Sequence, residues 1–320
     1  NRTVKMSNYK IAFCGLGSIG KRHLRNVCEY LNQKGDTFTI DLYRSKIVSD
    51  IPLDIQPLVT SIYSYNDIAE SNIMYDVVFV TNPTSVHYDT MQKFKHRTKS
   101  FFIEKPVFDK TDIETSLFED LKDTICYVAC PLRYSAALQY VKQNIDFSKS
   151  FSVRAISSSY LPDWRPGQDY RKCYSAHRDM GGGVGIDLIH EWDYLTWLFG
   201  TPIETYSIQR KISNLEIDSD DVAIYIGRTS TTSIELHLDY FGRSMIRTLE
   251  MFLPDDTIRC DIEDGRIEYL RTGKVIQLPS ERNEYQMREI EHFFEILNNK
   301  VKNDSTMEHA FQVLKLAKGE

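Results

Sequence analysis

The sequence predicts an α/β fold in which a doubly wound parallel sheet is followed by a second, α+β domain. Apolar runs alternate with helical patterns over about the first 130 residues. A glycine-rich turn joins the first apolar run to the first helical pattern. Further along, strand-like runs follow one another with few helical patterns between them. That arrangement is typical of an open, mostly antiparallel sheet.

The opening pattern is a βαβ unit with a glycine-rich turn. An apolar run at Ile11–Cys14 leads into Gly15-Leu16-Gly17-Ser18-Ile19-Gly20, a helical pattern follows, and a second apolar run spans Phe38–Tyr43. Glycines at this spacing permit a tight turn, let the backbone approach a pyrophosphate and let the helix pack close to the sheet. The unit predicts a dinucleotide-binding Rossmann domain, against the alternative of a purely structural turn. The predicted contacts are Gly15, Gly17, Ser18, Ile19 and Gly20.

The end of the second apolar run bears on which dinucleotide binds. Asp41 lies near where an acid would accept the adenosine ribose 2′-hydroxyl, but the apolar pattern continues past it, so we interpret Asp41 as part of the strand. Arg44, Ser45 and Lys46 follow, and two cations with a hydroxyl suit a 2′-phosphate. A solvated basic turn is the alternative. The sequence favours NADP, with NAD as the second choice.

The remaining alternation sets the predicted domains. Strands are expected at 76–81, 100–103 and 125–129, with helices at 84–95 and 111–122. In the second part, helices are expected at 135–144, 187–199, 284–297 and 307–317, and strands at 151–160, 203–211, 221–227, 231–241, 244–252, 257–262 and 266–271. The boundaries that follow are 6–131 for the Rossmann domain and 132–320 for a substrate-binding and oligomerisation domain.

Composition excludes several classes of function. A net charge of −6 over 320 residues gives no support to nucleic-acid binding. No apolar run approaches the roughly 20 residues of a membrane helix, and no signal peptide is visible. The 6 cysteines are scattered without metal-ligand spacing, so no metal is expected and neutral thiols in a reducing cytoplasm are the interpretation.

Two strand ends carry candidate cofactor residues, because ligands of open α/β sheets bind beyond the carboxyl ends of the strands. The candidates are Thr81, Asn82, Pro83, His87, Glu104 and Lys105. The ammonium of Lys105 would polarise a carbonyl or hold a hydroxyl that loses its proton. An exposed strand-end lysine and a helix-face histidine at His87 are the alternatives.

A second group of polar residues follows a run of glycines at 181–185. If a helix begins near Asp187, then Asp187, His190 and Asp193 are spaced i, i+3 and i+6 and successive members are neighbours on one face. A carboxylate beside an imidazole favours a general acid or base near neutral pH. The alternative is an N-capping Asp187 with a histidine satisfied in the core.

These motifs occur in one order: GLGSIG, then TNPTSVH, then EKP, then GGGVGIDLIHEWD. In this they resemble the glucose-fructose oxidoreductase / inositol dehydrogenase / MocA family over nearly the whole chain. The resemblance implies NAD(P)-dependent oxidation or reduction of a sugar or polyol. It implies that Lys105 is the catalytic lysine, that His190 is the proton shuttle and that Asp187 is the family's aspartate. The chain departs from the family in two ways. His190 follows Asp187 by three positions, where four is frequent in the family, and the glycine that commonly precedes this histidine is absent.

The segment 160–177 is predicted to border the substrate cleft, since it combines cations with aromatic side chains that suit a sugar carrying an anionic group. Arg133, Tyr134 and Tyr170 are the candidate substrate contacts, beside Lys105, Asp187 and His190. Trp164 and Arg165 resemble a family pair near the cofactor. A surface loop with ion pairs is the alternative.

The sequence therefore predicts a cytoplasmic oxidoreductase for a sugar, polyol or sugar nucleotide. In oxidation, His190 would take the hydroxyl proton, Lys105 would stabilise the oxyanion and Asp187 would orient the reacting groups. A dinucleotide-binding sensor without catalysis is one alternative. A cofactor-retaining lyase or isomerase is another. The family resemblance also points to a homodimer or homotetramer built on the open sheet face.

Overall fold

A six-stranded, entirely parallel sheet forms the first part of the chain in the computed structural model, which describes residues 6–46 and 50–320. Its strands are β1 (Asn8–Cys14), β2 (Thr37–Arg44), β3 (Ser61–Ser64), β4 (Val77–Val80), β5 (Ser100–Ile103) and β6 (Ile125–Val128). The order β3-β2-β1-β4-β5-β6 places β1 beside β4, where the winding of the chain reverses. Ligands of such sheets bind at this reversal. The predicted Rossmann fold is confirmed.

The helices of this part are α1 (Ser18–Lys34), α2 (His87–Phe94) and α3 (Ser116–Asp120). Helix α1 buries one side against the sheet and ends at Gly35, whose φ of 74° favours glycine. The helix expected at 111–122 is reduced to α3, which buries only Leu117. A helix with so little apolar surface to bury gains little from packing, and the chain before it stays irregular.

An eight-stranded mixed sheet forms the second part. Its strands are β7 (Ser152–Tyr160), β8 (Glu204–Arg210), β9 (Val222–Arg228), β10 (Ser233–Asp239), β11 (Phe241–Phe252), β12 (Thr257–Asp261), β13 (Arg266–Tyr269) and β14 (Lys274–Gln277), in the order β14-β13-β12-β11-β7-β10-β9-β8. The associated helices are α4 (Ala136–Asn144), α5 (Val184–Asp187) and α6 (His190–Phe199). Every neighbouring pair is antiparallel except β7 with β10. The predicted mostly antiparallel sheet is confirmed.

The chain forms two compact units, and the first includes a late segment. Residues up to Ala129 group with Gln286–Phe311, whereas 130–285 and 312–320 form the second unit. Two helices close the chain, α7 (Arg282–Leu297) and α8 (Met307–Lys318). The predicted boundary at residue 131 omitted this return of the chain to the first unit.

Aromatic packing explains why α7 returns. Phe293 is fully buried, and its ring centroid lies 5.1 Å from that of Phe102, 5.5 Å from Tyr127 and 5.9 Å from Phe79. These three rings project from neighbouring strands of the parallel sheet. Burying such a ring removes a large apolar area from water, so this cluster fixes α7 on the sheet.

Three further properties of the described residues bear on function. No helix in them is long and apolar enough to cross a membrane. All 6 cysteines are free thiols, and burial raises the pKa of Cys28 and of Cys126 to about 12. Across 6–46 and 50–320, no cluster of His, Cys, Asp and Glu has the geometry of a metal site.

We predict that Phe293→Ala lowers the free energy of unfolding by about 3–5 kcal/mol, because it leaves a cavity among three packed rings. Urea unfolding monitored by circular dichroism measures this change. Phe151→Ala is the matched control, since Phe151 is 62% exposed and its loss should change stability by less than about 0.5 kcal/mol. Equal losses in the two variants would show that the cluster does not fix α7.

Candidate functional site

A pocket of about 460 Å³ lies at the reversal of the parallel sheet. It is lined by Gly15, Leu16, Gly17, Arg44, Ser45, Lys46, Thr81, Asn82 and Pro83. The pocket thus brings together the glycine turn after β1 and the segments that follow β2 and β4. All of these residues except Leu16 are ones that the sequence assigned to cofactor binding. The other three candidates of the turn, Ser18, Ile19 and Gly20, form the first turn of α1.

The three glycines of the turn have different roles. Gly15 has a φ of 93°, and a Cβ on it would lie 2.7 Å from the Cα of Asn82. A Cβ on Gly20 would lie 2.9 Å from the carbonyl oxygen of Gly15. A Cβ on Gly17 would have no atom of the described chain within 4 Å. Gly15 and Gly20 are therefore needed for packing, whereas Gly17 leaves open space in the pocket where α1 begins.

This open space fits the phosphates of a dinucleotide. Gly17 is the N-cap of α1 and supplies no side-chain hydrogen bond to the first turn. The first turn also carries no acidic residue. A phosphate placed there would meet backbone amides and the positive end of the helix dipole, without a competing carboxylate.

Asp41 is turned away from the pocket by a buried hydrogen-bond chain. It lies inside β2, as interpreted from the sequence, and is 4% exposed. Its Oδ2 accepts from the hydroxyl of Tyr75 at 2.7 Å, and the hydroxyl of Tyr75 lies 2.9 Å from that of Tyr43. Of the described residues that line the pocket, none is acidic, and Arg44 and Lys46 are cationic.

Thr81 and Asn82 hold the far wall of the pocket. The hydroxyl of Thr81 donates to the carbonyl of Gly15 at 3.0 Å, and Nδ2 of Asn82 donates to the hydroxyl of Thr90 at 2.8 Å. Oδ1 of Asn82 is buried and has no hydrogen-bond partner in the described part of the chain. Buried acceptors are normally hydrogen-bonded, and a bound ligand could donate the hydrogen bond that Oδ1 of Asn82 lacks.

His87 and Glu104 do not line the pocket but support its surroundings. His87 is 1% exposed, its Nε2 lies 3.0 Å from the carbonyl oxygen of Asn82, and its Nδ1 lies 3.1 Å from that of Val107. Burial lowers the pKa of His87. Oε1 of Glu104 lies 2.5 Å from Nε2 of His23. Both ring nitrogens of His87 face backbone carbonyls, and its direct contact with the cofactor stays a prediction.

The second unit holds Asp187 and His190 at a break between two helices. The helix expected at 187–199 is instead α5, which ends at Asp187, followed by α6, which begins at His190. Leu188, with φ −98° and ψ 32°, departs from helical geometry between them. Asp187 is therefore neither the N-cap of a helix nor on a continuous helical face with His190 and Asp193.

Two tyrosine hydroxyls hold the carboxylate of Asp187. Tyr174 donates to Oδ1 at 2.5 Å, and Tyr240 donates to Oδ2. Asp187 is 7% exposed and Tyr240 is fully buried. Burial, together with the charge of Asp187, raises the pKa of both tyrosines, so they stay protonated and act as donors. The orientation of the carboxylate is consequently fixed at both oxygens.

Arg133 is a buried anchor. Its Nε donates to Oδ2 of Asp193 at 2.8 Å and its Nη2 donates to Oδ1 at 2.7 Å. The guanidinium also lies 5.5 Å from the ring centroid of Trp197, and Arg133 is 1% exposed. Asp193 matches the charge of Arg133, and the substrate contact of Arg133 stays a prediction. Tyr134 beside it is also buried.

The segment 160–177 encloses a small pocket of about 90 Å³. It is lined by Leu161, Pro162, Trp164, Arg165, Gln168, Asp169, Tyr170, Cys173, Tyr174 and Ser175. Nε1 of Trp164 donates to the hydroxyl of Ser159 at 2.9 Å, so the indole is fixed. Arg171, in contrast, pairs with Asp169 and Glu216, as a surface loop with ion pairs would. Tyr174 connects this pocket to Asp187.

Sequence reasoning missed three of these residues. Tyr174 lies in a segment that was singled out, but nothing local marks its contact with Asp187. Tyr240 follows β10 and reaches Asp187 only through the fold of the second unit. His23 lies on the buried side of α1, and the helical pattern of the sequence explains its position without any functional role.

Comparisons with known proteins agree with this fold. Residues 9–126 match the family model GFO_IDH_MocA, described as "Oxidoreductase family, NAD-binding Rossmann fold". Scyllo-inositol 2-dehydrogenase (NAD(+)) of Bacillus subtilis is 28% identical over 142 residues, which are 43% of this chain and 40% of that protein. The chain's matches span 38% to 54% of the curated relatives' length.

Solved structures resemble the whole chain in fold. UDP-N-acetylglucosamine 3-dehydrogenase from Acidithiobacillus ferrooxidans superimposes with a TM-score of 0.76 at 17% identity, over 98% of this chain and 96% of that one. Scyllo-inositol dehydrogenase from Lactobacillus casei, with bound NAD(H) and scyllo-inositol, gives the same values. The glycine turn and the strand-end residues of the pocket lie in the part of the chain, residues 9–126, that matches this oxidoreductase family model.

Proposed function

We propose that this protein is an NAD(P)-dependent oxidoreductase acting on a hydroxyl or carbonyl group of a sugar, polyol or sugar nucleotide. The observation that carries the proposal is the pocket at the sheet reversal, where the glycine turn, a basic strand tip and Thr81–Pro83 meet. Dehydrogenases of scyllo-inositol and of UDP-N-acetylglucosamine are among the proteins that the chain resembles. Their substrates share vicinal hydroxyl groups, which defines the proposed substrate class.

In this proposal, different residues of the pocket bind different parts of the cofactor. Amides at Gly17–Gly20 would hold the pyrophosphate, and Arg44, Ser45 and Lys46 would hold the adenosine ribose and its substituent. Oδ1 of Asn82, which has no hydrogen-bond partner among the described residues, would accept a hydrogen bond from the cofactor. Trp164 and Arg165 of the second unit would add contacts. When bound, the nicotinamide supplies the hydride acceptor or donor of the reaction.

Three residues would carry the proton chemistry. In the oxidation direction, we propose that His190 takes the proton of the substrate hydroxyl and that the ammonium of Lys105 stabilises the developing oxyanion. Asp187 would orient the reacting groups, since two tyrosines fix both of its oxygens. A residue held in this way loses little orientational freedom when the substrate binds, which is the advantage of a preorganised site.

The charge at the strand tip supports NADP as the preferred cofactor. Asp41 is withdrawn into β2 by Tyr75. Arg44 and Lys46 line the pocket. A carboxylate at this position would repel a 2′-phosphate, whereas a guanidinium binds one with charge-assisted hydrogen bonds.

We predict that Arg44→Ala weakens NADP binding by roughly ten- to a hundredfold, because one charge-assisted hydrogen bond contributes about 1.5–3 kcal/mol. NAD binding should change by less than about twofold, since NAD lacks the 2′-phosphate. Titration followed by intrinsic fluorescence measures both affinities. Arg25→Ala is the control, because Arg25 is an exposed arginine of the same unit that pairs with Asp54. Equal affinity of the unaltered protein for NAD and NADP, with no loss in Arg44→Ala, would contradict NADP preference.

Exposed apolar residues on the mixed sheet support a homo-oligomer. Tyr206 is opposite Ile226 and Ile208 is opposite Ile224 on β8 and β9, and these four side chains are 37% to 68% exposed. Contiguous exposed apolar side chains on a sheet face mark an interface. We propose that a second copy of the chain covers this face, as a homodimer or within a homotetramer.

We predict a dimer or tetramer in light scattering at micromolar concentration. Ile226→Asp should shift the protein toward the monomer, because it places a charge within the apolar face. Met74→Asp provides the control, as Met74 is 57% exposed in the first unit and outside this face. A monomer for the unaltered protein would refute the proposal.

We predict that Lys105→Ala and His190→Ala each lower turnover by roughly a hundredfold or more, the scale of losing an acid–base group. Cofactor affinity should stay nearly unchanged in both, and the losses should not add in the double variant if the pair acts as a unit. Steady-state kinetics with scyllo-inositol and with UDP-N-acetylglucosamine would measure turnover. Lys99→Ala is the control, because Lys99 is 77% exposed and pairs with Asp76. Full activity of His190→Ala would assign the proton transfer elsewhere.

A further inference from the structure

A buried histidine lies beside the segment that carries Lys105. His23 projects from α1 and is fully buried. Its Nε2 lies 2.5 Å from Oε1 of Glu104, whose side chain is 12% exposed. The imidazole meets the ring of Phe102 edge-on at 4.8 Å between centroids. Nδ1 is buried and finds no hydrogen-bond partner within 6–46 and 50–320.

This placement is costly if the side chain only fills the core. A leucine at position 23 would pack against the neighbouring aromatic rings without burying a nitrogen that lacks a partner. Pairing a buried imidazole with a buried carboxylate is also weak evidence for a gain in stability, because both groups lose hydration. The contact of His23 with Glu104 is therefore better explained by what Glu104 holds.

Glu104 is tied to its surroundings at several atoms. Its backbone N–H donates to the carbonyl of Val80 at 3.0 Å, so it continues the pairing of β5 with β4. Its Oε2 accepts from the backbone N–H of Lys105 at 3.1 Å. With His23 on Oε1, both oxygens of the carboxylate have partners. Val107 lies three residues after Glu104, and its carbonyl oxygen is 3.1 Å from Nδ1 of His87. The segment 104–107 is thus held by one histidine at each end.

We propose that His23 is a positioning residue for Lys105, acting through the carboxylate of Glu104. Because an ionised carboxylate only accepts hydrogen bonds, Nε2 of His23 is the donor. This donor fixes the carboxylate, which in turn fixes the N–H of Lys105 and places a negative charge next to the lysine. The helix that begins at the glycine turn is thereby connected to the proposed catalytic lysine. The catalytic part of this inference rests on the proposed function.

The charges of the group support this arrangement. Burial opposes the ionisation of Glu104, but the hydrogen bond from His23 and the charge of Lys105 outweigh it, and the pKa of Glu104 lies below its usual value. Without the donor on His23, the carboxylate would be less well held as an anion and free to turn. Lys105 would then lose a fixed negative neighbour and would release its proton more readily.

Two substitutions of similar size separate positioning from core filling. His23→Leu keeps the bulk and removes the donor, whereas His23→Gln keeps an N–H donor near the position of Nε2. We expect His23→Leu to lower kcat by about tenfold or more with cofactor affinity unchanged, and His23→Gln to stay within about threefold of the unaltered protein. If His23→Leu fails to fold, His23→Asn replaces it, since its amide is one methylene too short to reach Glu104.

A second measurement does not depend on turnover. Labelling of the folded protein with a trace amount of acetic anhydride, followed by mass spectrometry of the peptide that contains Lys105, reports how readily this amine reacts. We expect labelling of Lys105 relative to Lys99 to rise about threefold or more in His23→Leu and to stay unchanged in His23→Gln. His292→Leu is the matched control, because His292 pairs with Asp304 at 2.9 Å and its carboxylate partner is not next to Lys105.

The outcomes distinguish this inference from the proposed function. An unaltered protein without turnover, combined with the expected change in labelling, would refute the function and support the positioning role. Normal kcat and normal labelling in His23→Leu would overturn the positioning role and leave the function standing. Equal losses in His23→Leu and His23→Gln, together with equally lowered melting temperatures, would likewise overturn it, because the histidine would then serve only as packing.

Discussion

The close approach of Gly15 to Asn82 is the contact on which the first unit's site depends. A Cβ on Gly15 would lie 2.7 Å from the Cα of Asn82, so the turn after β1 and the end of β4 fit together only without a side chain there. The hydroxyl of Thr81 crosses the same gap to the carbonyl of Gly15 at 3.0 Å. Because the two strand ends are held this near each other, α1 begins beside the segment after β4, and the open space at Gly17 becomes the floor of a pocket.

Three carboxylates of the described chain are held by partners inside the protein. Asp193 matches the charge of Arg133, and this pair is therefore part of the scaffold of the second unit. Asp41 accepts a hydrogen bond from the hydroxyl of Tyr75, and the end of β2 contributes Arg44 and Lys46 to the pocket. Glu104 is held by His23. In each case the carboxylate has a hydrogen-bond or ion-pair partner inside the protein, as polar groups with little exposure to water require.

The parts of the fold that follow local rules could be predicted from the sequence. The glycine turn, the parallel strands and the amphipathic α1 depend on spacing within a short window, and the structure has them. The return of α7 to the first sheet could not be predicted, because it depends on Phe293 meeting rings from three strands far away in sequence. The pairing of Arg133 with Asp193 could not be predicted either, since a buried ion pair and a substrate contact use the same residue type.

The break between α5 and α6 places Asp187 and His190 on two different helices. On a continuous helix, residues three apart share a face and their side chains are constrained by the same backbone. Here Asp187 ends one helix and His190 begins the next, so the two side chains are oriented by different elements. The orientation of Asp187 then comes from outside the helix, through Tyr174 and Tyr240. Two tyrosine donors thereby fix the carboxylate of Asp187 without a helical face shared with His190.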